Sequence, residues 1–355
     1  MPSDELERLL AWVRERSPRR VLLQAPPGLT EVAREAARAL GEMGVEVVVS
    51  GGMCWGGCDL ALREAAELGC DAIVHVGHAE FVRSPSIPVF YLEHRYQNYE
   101  PVASLLPEML KALEGYRRVG LGATVQYLDL LGRLAEDLRR AGHVVMIGRP
   151  LNHLRYSGQV LGCDYSTMTS LDGEVDAHLV LGSVFHGLGL ALISRKEVFA
   201  ADPHSQKVVP LRETAEKVLR KRYAQILAFR SCRRVGVVVS VKPGQRYFGL
   251  ARWLVGLLRG RGLDAELVVV DEVRAEDLEG RYEALVNTAC PRLSVEDQDR
   301  FRVPVLLPGE VMVALGLTSW EELLRRGFLS SYPQSWVMES WTSSALPEST
   351  SPSEV

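Results

Sequence analysis

Six cysteines are spread over the 355 residues of this chain, and four of them fall in three loops. GGMCWGGCD holds Cys54 and Cys58, SGQVLGCDYS holds Cys163, and NTACPR holds Cys290. So few thiols in so long a chain do not make a disulfide framework. In a reducing compartment each is a buried small hydrophobe, a metal ligand or a nucleophile. If one such loop from each of three domains turned toward a common axis, three thiolates would meet there. That set suits a 4Fe–4S cluster with one iron left open for a substrate. Zinc held by three cysteines and a histidine is the competing metal, and ordinary buried cysteines are the reading without one. Spacing alone does not choose among them.

Cys54 and Cys58 form C-x-x-x-C, close enough for both to reach one metal. Cys70, at a helix end, and Cys232, just before a strand, read as structural. His75 and His78, in HVGHA, suggest acid–base groups or ligands, against the plainer expectation that a strand-end histidine bonds to backbone. No paired carboxylates and no Ser–His–Asp order stand out, so hydrolysis has little support.

The elements that must position these loops come in three passes. VLLQAP, VEVVVSGG, DAIVHVGHAE and IPVFYLEH make the first; VGLGATVQ, HVVMIG, AHLVLGSVFHG and a weaker EVFAADP the second. VGVVVSVKPGQ, AELVVVDE, ALVNTACPR and VPVLLPGE make the third. Short apolar runs that end in Gly, Pro or polar loops are expected of buried parallel strands. Between them, Leu29, Val32, Ala36, Leu40 and Met43 keep helical spacing up to Gly44, which is placed to stop the helix. Leu128, Leu131, Leu134 and Leu138 do so before Gly142, and Leu250, Leu254, Leu257 and Leu258 before Gly260. The pattern predicts an α/β protein of three related small domains, each a parallel sheet flanked by helices, with pseudo-threefold symmetry about the cysteine loops. One long doubly wound sheet is the alternative. The expected domains are residues 1–112, 113–222 and 223–326. A Ser/Thr/Pro-rich tail follows at 327–355, with its last dozen or so residues expected to be disordered. Trp336 and Trp341 could dock that tail onto the body or a partner. Ligands of open parallel sheets bind beyond the carboxyl ends of the strands, where all three cysteine loops are expected.

Composition narrows the classes. With 47% hydrophobic and 24% charged residues the chain is a globular protein, and a net charge of −4 argues against a general nucleic-acid binder. No segment approaches the ~18 apolar residues of a membrane span. Met1 to Arg20 reads as an amphipathic helix with Leu6, Leu9, Leu10 and Val13 on one face, interrupted by acidic residues and without a cleavage site. A cytoplasmic protein is expected.

The motifs together carry a resemblance. WGGCDLA, SGQVLGCDYS and NTACPRLSVED are similar to the three cysteine motifs of the Dph1/Dph2 family, the diphthamide-synthesis 3-amino-3-carboxypropyl transferases. HVGHAEF, TVQY, GSVFHGLGLAL, KPGQ and VPVLLPGE resemble other family segments in the same order, from about Arg20 to Glu310. The resemblance puts the first ligand on the cysteine directly before Asp59, which is Cys58 and not Cys54, the second on Cys163 and the third on Cys290. Trp55 and Gly57 replace the family's usual Tyr and Ala, read here as mild changes in size.

That resemblance implies a radical use of S-adenosylmethionine. A reduced 4Fe–4S cluster gives one electron to the sulfonium, the bond to the methionine Cγ breaks, and the 3-amino-3-carboxypropyl group moves to a histidine of translation elongation factor 2. Methylthioadenosine is released. It also implies a homodimer of the archaeal type, which needs an electron donor. The C-x-x-x-C-x-x-C of conventional radical enzymes is absent. For the substrate's α-carboxylate and ammonium, Arg292 and Lys242 are the candidate cations, with His186, Gln126 and Gln245 as further polar contacts. A loop-stabilising hydrogen bond is the alternative role for each. Two rival functions stand beside this one: a quinolinate synthase-like dehydratase, also with a cluster, and a non-catalytic paralogue serving as scaffold or electron-transfer partner.

Overall fold

In the computed structural model, which describes residues 3–83, 85–326 and 338, the apolar runs form three separate sheets and not one long sheet. The first contains β1 (Arg20–Gln24), β2 (Glu46–Val49), β3 (Ala72–Val76) and β4 (Val89–Leu92) in the order β2-β1-β3-β4. The second contains β5 (Arg118–Ala123), β6 (Val144–Met146), β7 (Ala177–Leu181), β8 (Glu197–Asp202) and β9 (Lys207–Pro210), ordered β6-β5-β7-β8-β9. The third contains β10 (Arg234–Ser240), β11 (Asp264–Val270), β12 (Ala284–Asn287) and β13 (Val305–Leu306), ordered β11-β10-β12-β13. Setting β9 aside, each sheet repeats one topology, with all neighbours parallel; β9 alone pairs antiparallel, with β8. Sequence reading missed β9, a short half-exposed run too weak in periodicity to register.

Alternation along the strands builds a core on both faces of each sheet. Val21 and Leu23 of β1 join Leu9, Val13, Ala36 and Leu40 from the helices Ser3–Arg16 and Thr30–Glu42, while Leu22 between them packs on Ala61, Ala65 and Cys70. In β7, Leu179 and Leu181 join Leu134 and Leu138 of the helix Leu131–Arg140, and Val180 turns to Met168 and Leu190. In β10, Val235, Val237 and Val239 meet Leu250, Leu254 and Leu258 of the helix Phe248–Gly260, and Val238 turns to Leu278 and Phe301. Gly44 (φ 80°) and Gly142 (φ 97°) end their helices in the left-handed conformation that a side chain disfavours. The third helix departs from expectation: Gly260 is its last residue, and Gly262 (φ 81°) makes the turn.

By packing, the chain forms two compact units. One comprises Met1–Lys217 and Lys242–Gln245, with the first two sheets; the other comprises Val218–Val241 and Arg246–Val355, with the third. Among the described residues no helix is long and apolar enough to cross a membrane. The expected disorder of the tail, and Trp336 and Trp341, lie outside the described residues.

Candidate metal centre

Each cysteine loop follows the carboxyl end of a strand, but not of the equivalent strand. Cys58 and Cys163 lie beyond the edge strands β2 and β6, before the short helices Leu62–Glu67 and Ser166–Thr169. Cys290 lies beyond β12, an inner strand, as the residue capping the helix Pro291–Glu296. Counted from Ala72 and Ala284, which pair with Val21 and Val235, the position of Cys290 in the third sheet is that of His78 in the first. One loop per sheet was legible; this offset was not.

The Cys58 loop is fixed by a small polar network. Asp59 is buried, its Oδ1 accepting from Lys242 Nζ at 2.7 Å and its Oδ2 from the Trp55 N–H at 3.3 Å. Its carbonyl accepts from Gln24 Nε2 at 2.7 Å. Gly244 N–H donates to the Cys58 carbonyl at 2.8 Å, and Gln245 Nε2 donates to Cys58 Sγ at 3.3 Å. An amide N–H aimed at a sulfur favours its thiolate, the form that ligates metal. Lys242 and Gln245, read as substrate contacts, thus first of all hold the Cys58 loop. Gly244 approaches so closely that a Cβ there would lie 2.5 Å from Cys58 Cβ and 2.6 Å from its Cα. Gly244→Ala should therefore displace the loop, lowering stability by about 1–3 kcal/mol and exposing the Cys58 thiol. Thermal unfolding and the rate of Cys58 alkylation check this; unchanged values in both would show the loop yields freely.

Gly57 is likewise more than a mild change in size, since a Cβ there would meet the Ala79 carbonyl oxygen at 2.5 Å and Phe81 Cβ at 3.1 Å. Phe81 stacks on His153 with ring centres 4.5 Å apart. His153 donates its backbone N–H to Asp164 Oδ2 at 3.0 Å. The loops of Cys58 and Cys163 are thereby linked through Gly57, Phe81, His153 and Asp164. Asp164 braces the second loop much as Asp59 braces the first, also accepting the Ser166 N–H at 3.0 Å. Burial opposes its charge, but the hydrogen bonds from His153 and Ser166 prevail and hold its pKa below the usual carboxylate value.

Cys290 belongs to the second unit. Burial pushes its thiol up, against the backbone N–H groups of Arg292 and Leu293 that favour the thiolate. Asn287 Nδ2 donates to the Cys290 carbonyl at 2.8 Å. Arg292 is buried and paired with Glu296 one turn on, a carboxyl that burial raises to about 7 against the pull of Arg292. In the first unit, Gln126 Nε2 donates to the Gly77 carbonyl at 2.7 Å, and His186 Nδ1 lies 3.1 Å from Ser183 Oγ.

The two cysteines of C-x-x-x-C part ways. Cys54 is buried and its Sγ lies 4.0 Å from His75 Nε2, which is 3.1 Å from His78 Nδ1. Of the two histidines expected to bond to backbone, His78 does so, at Val76, whereas the His75 ring does not; its Nδ1 meets Gln24 Oε1 at 3.1 Å. Burial lowers both imidazoles, His75 far and His78 to about 4, and raises the Cys54 thiol to about 12. Cys70 packs in the core, and the Cys232 thiol bonds to the carbonyls of Ala228 and Glu283. Gln24 escaped sequence reading; its signal was a polar residue closing an apolar strand, in LLQAP.

Residues 25–324 match the family model described as "Putative diphthamide synthesis protein". The chain is 37% identical to the 2-(3-amino-3-carboxypropyl)histidine synthase of Pyrococcus horikoshii, over 84% of this chain and 86% of that protein. It is 24% identical to the enzyme of the same name from Methanocaldococcus jannaschii, over 83% of this chain and 84% of that one. A crystal structure of Dph2 from Pyrococcus horikoshii with a 4Fe–4S cluster superposes with a TM-score of 0.81, at 35% identity, covering 88% of this chain and 91% of that one.

Proposed function

The chain belongs to the diphthamide synthesis family, and we propose that it holds a 4Fe–4S cluster on Cys58, Cys163 and Cys290 to act on S-adenosylmethionine. Its activity is that of a 2-(3-amino-3-carboxypropyl)histidine synthase, the first step of diphthamide biosynthesis. The observation that carries the cluster assignment is the Cys58 loop. There, a side-chain amide donates to the thiol sulfur and a buried Lys242–Asp59 pair fixes the backbone, as a preformed ligand loop requires. Cys290, with backbone N–H groups favouring its thiolate, fits the same donor set.

When bound, the cluster supplies one electron and an iron with an open position. The protein's part is to hold the substrate so that the bond from sulfur to Cγ is the one that breaks. Gln245 donates to the Cys58 sulfur, and the backbone N–H groups of Arg292 and Leu293 favour the Cys290 thiolate against the burial that raises it. Lys242 and Arg292 are the proposed donors to the substrate carboxylate, each now engaged with an internal carboxylate, Asp59 or Glu296, that a substrate would compete with. Gln126 and His186 are the further proposed contacts. The protein substrate in this reading is translation elongation factor 2, and the assembly a cytoplasmic homodimer, a reading supported by one chain carrying all three cysteines.

Dithionite-reduced protein should convert S-adenosylmethionine to methylthioadenosine, not to 5′-deoxyadenosine. With elongation factor 2 present, one histidine should gain the mass of a 3-amino-3-carboxypropyl group. Oxidised protein should do neither. Full activity without reductant would replace the radical route by direct attack of histidine on Cγ. Dominant deoxyadenosine would overturn the reading, and a dehydratase would release no methylthioadenosine at all.

A further inference from the structure

A second cluster of ligand-type side chains lies in the same loop region but is not used by the reaction above. Cys54, His75 and His78 bring one sulfur and two ring nitrogens within 4.8 Å of one another, with Cys54 and His75 buried and His78 half-buried. We propose that these three side chains form a mononuclear zinc site that pins the Cys58 loop to the end of β3.

The donor chemistry is that of zinc. A thiolate with two imidazoles is a borderline-soft set, unsuited to the oxygen-seeking magnesium or calcium. Zinc bonds of about 2.3 Å to sulfur and about 2.0–2.1 Å to nitrogen place tetrahedral donors roughly 3.3–3.6 Å apart. The observed separations of 4.0 Å for Cys54–His75 and 3.1 Å for His75–His78 straddle that range, so a small side-chain adjustment seats the ion. Three protein ligands leave a fourth position for water.

The tautomer of His75 is set in advance. Gln24 Nε2 donates to the Asp59 carbonyl, which fixes its amide so that Oε1 faces the other way and accepts from the Ala61 N–H at 3.1 Å. Facing Oε1, His75 Nδ1 must carry the proton, which leaves the Nε2 lone pair directed at Cys54 and His78. A partner that orients a ligating histidine through its other nitrogen is the usual outer support of a zinc ligand. On binding, the Cys54 thiol gives up its proton and the thiolate–zinc bond forms, with no change of oxidation state.

The test uses the full-length, cluster-loaded protein prepared anaerobically. Iron and zinc are measured per chain, and Zn²⁺ is titrated against a chromophoric chelator. The native chain is expected to bind one zinc in addition to the cluster iron. Cys54→Ala and His78→Asn should each weaken zinc binding by more than about 100-fold, beyond the 10–100-fold typical of losing an outer partner, while keeping their iron. Co²⁺ added to the native protein should give a sulfur-to-cobalt charge-transfer band, a readout that needs no variant and is independent of S-adenosylmethionine cleavage. A native chain with no such band, or equal zinc affinity in native and Cys54→Ala proteins, overturns the site. Loss of iron in place of zinc from Cys54→Ala also overturns it, by making Cys54 a cluster ligand.

Discussion

Replacing Cys58, Cys163 or Cys290 by alanine, one at a time, should remove the cluster and drop methylthioadenosine formation to the uncatalysed background. A 4Fe–4S cluster with an open iron has only three protein thiolates to hold it, so losing one leaves two irons without a protein ligand. Cys54→Ala, Cys70→Ala and Cys232→Ala should keep their iron. Cys54 faces His75, Cys70 lies against Leu22 and Ile73, and Cys232 donates to two backbone carbonyls. Anaerobic iron and sulfide analysis with EPR of the reduced proteins reads the result directly. Were Cys54→Ala to lose its signal while Cys58→Ala retained it, the ligand assignment in the first loop would be reversed, and the hydrogen bond from Gln245 to Cys58 would need another purpose.

Arg222→Met should cost about 3–5 kcal/mol of folding stability, the range for breaking a buried ion pair by removing one partner. Arg222 is 1% exposed and Glu310 0%. Its guanidinium donates through Nε to Glu310 Oε1 at 2.8 Å and through Nη2 to Oε2, and reaches the carbonyls of Ser294 at 2.6 Å and Val305 at 2.8 Å. Gln298 Oε1 accepts from it as well, at 3.3 Å. Glu310 in turn accepts the Leu307 N–H at 2.7 Å at the start of the helix Pro308–Ala314. One arginine therefore ties the long helix Arg212–Phe229 to the segment after Cys290 and to the end of β13. Without it a carboxylate stays in the interior with half its partners gone. The double variant Arg222→Met with Glu310→Leu should recover part of the loss, because it removes the stranded charge as well. Denaturant melts of the single and double variants measure both quantities. A single variant within about 0.5 kcal/mol of the native protein, the range of ordinary surface changes, would show that the pair contributes nothing.

The amino-acid order alone determined the alternation of strands and helices and the grouping into three passes. Those depend on burial, and burial writes a local pattern: Val21 and Leu23 against Leu22, or Leu134 and Leu138 one turn apart. The three cysteine loops were legible as well, as breaks after apolar runs, one to each sheet; proposing Cys58, Cys163 and Cys290 as the ligands within them took the family resemblance and not the spacing. Tertiary structure decided which polar groups meet. Nothing near Lys242 foretells Asp59, and nothing near Arg222 foretells Glu310, since partners remote in sequence are chosen by which strand ends and helix turns face each other. Packing also put Gly244 against Cys58, turned Cys54 toward His75 and His78, and made Gln24 the bond between the first strand and the Cys58 loop. A buried polar atom must find a partner, and only the folded chain decides which one.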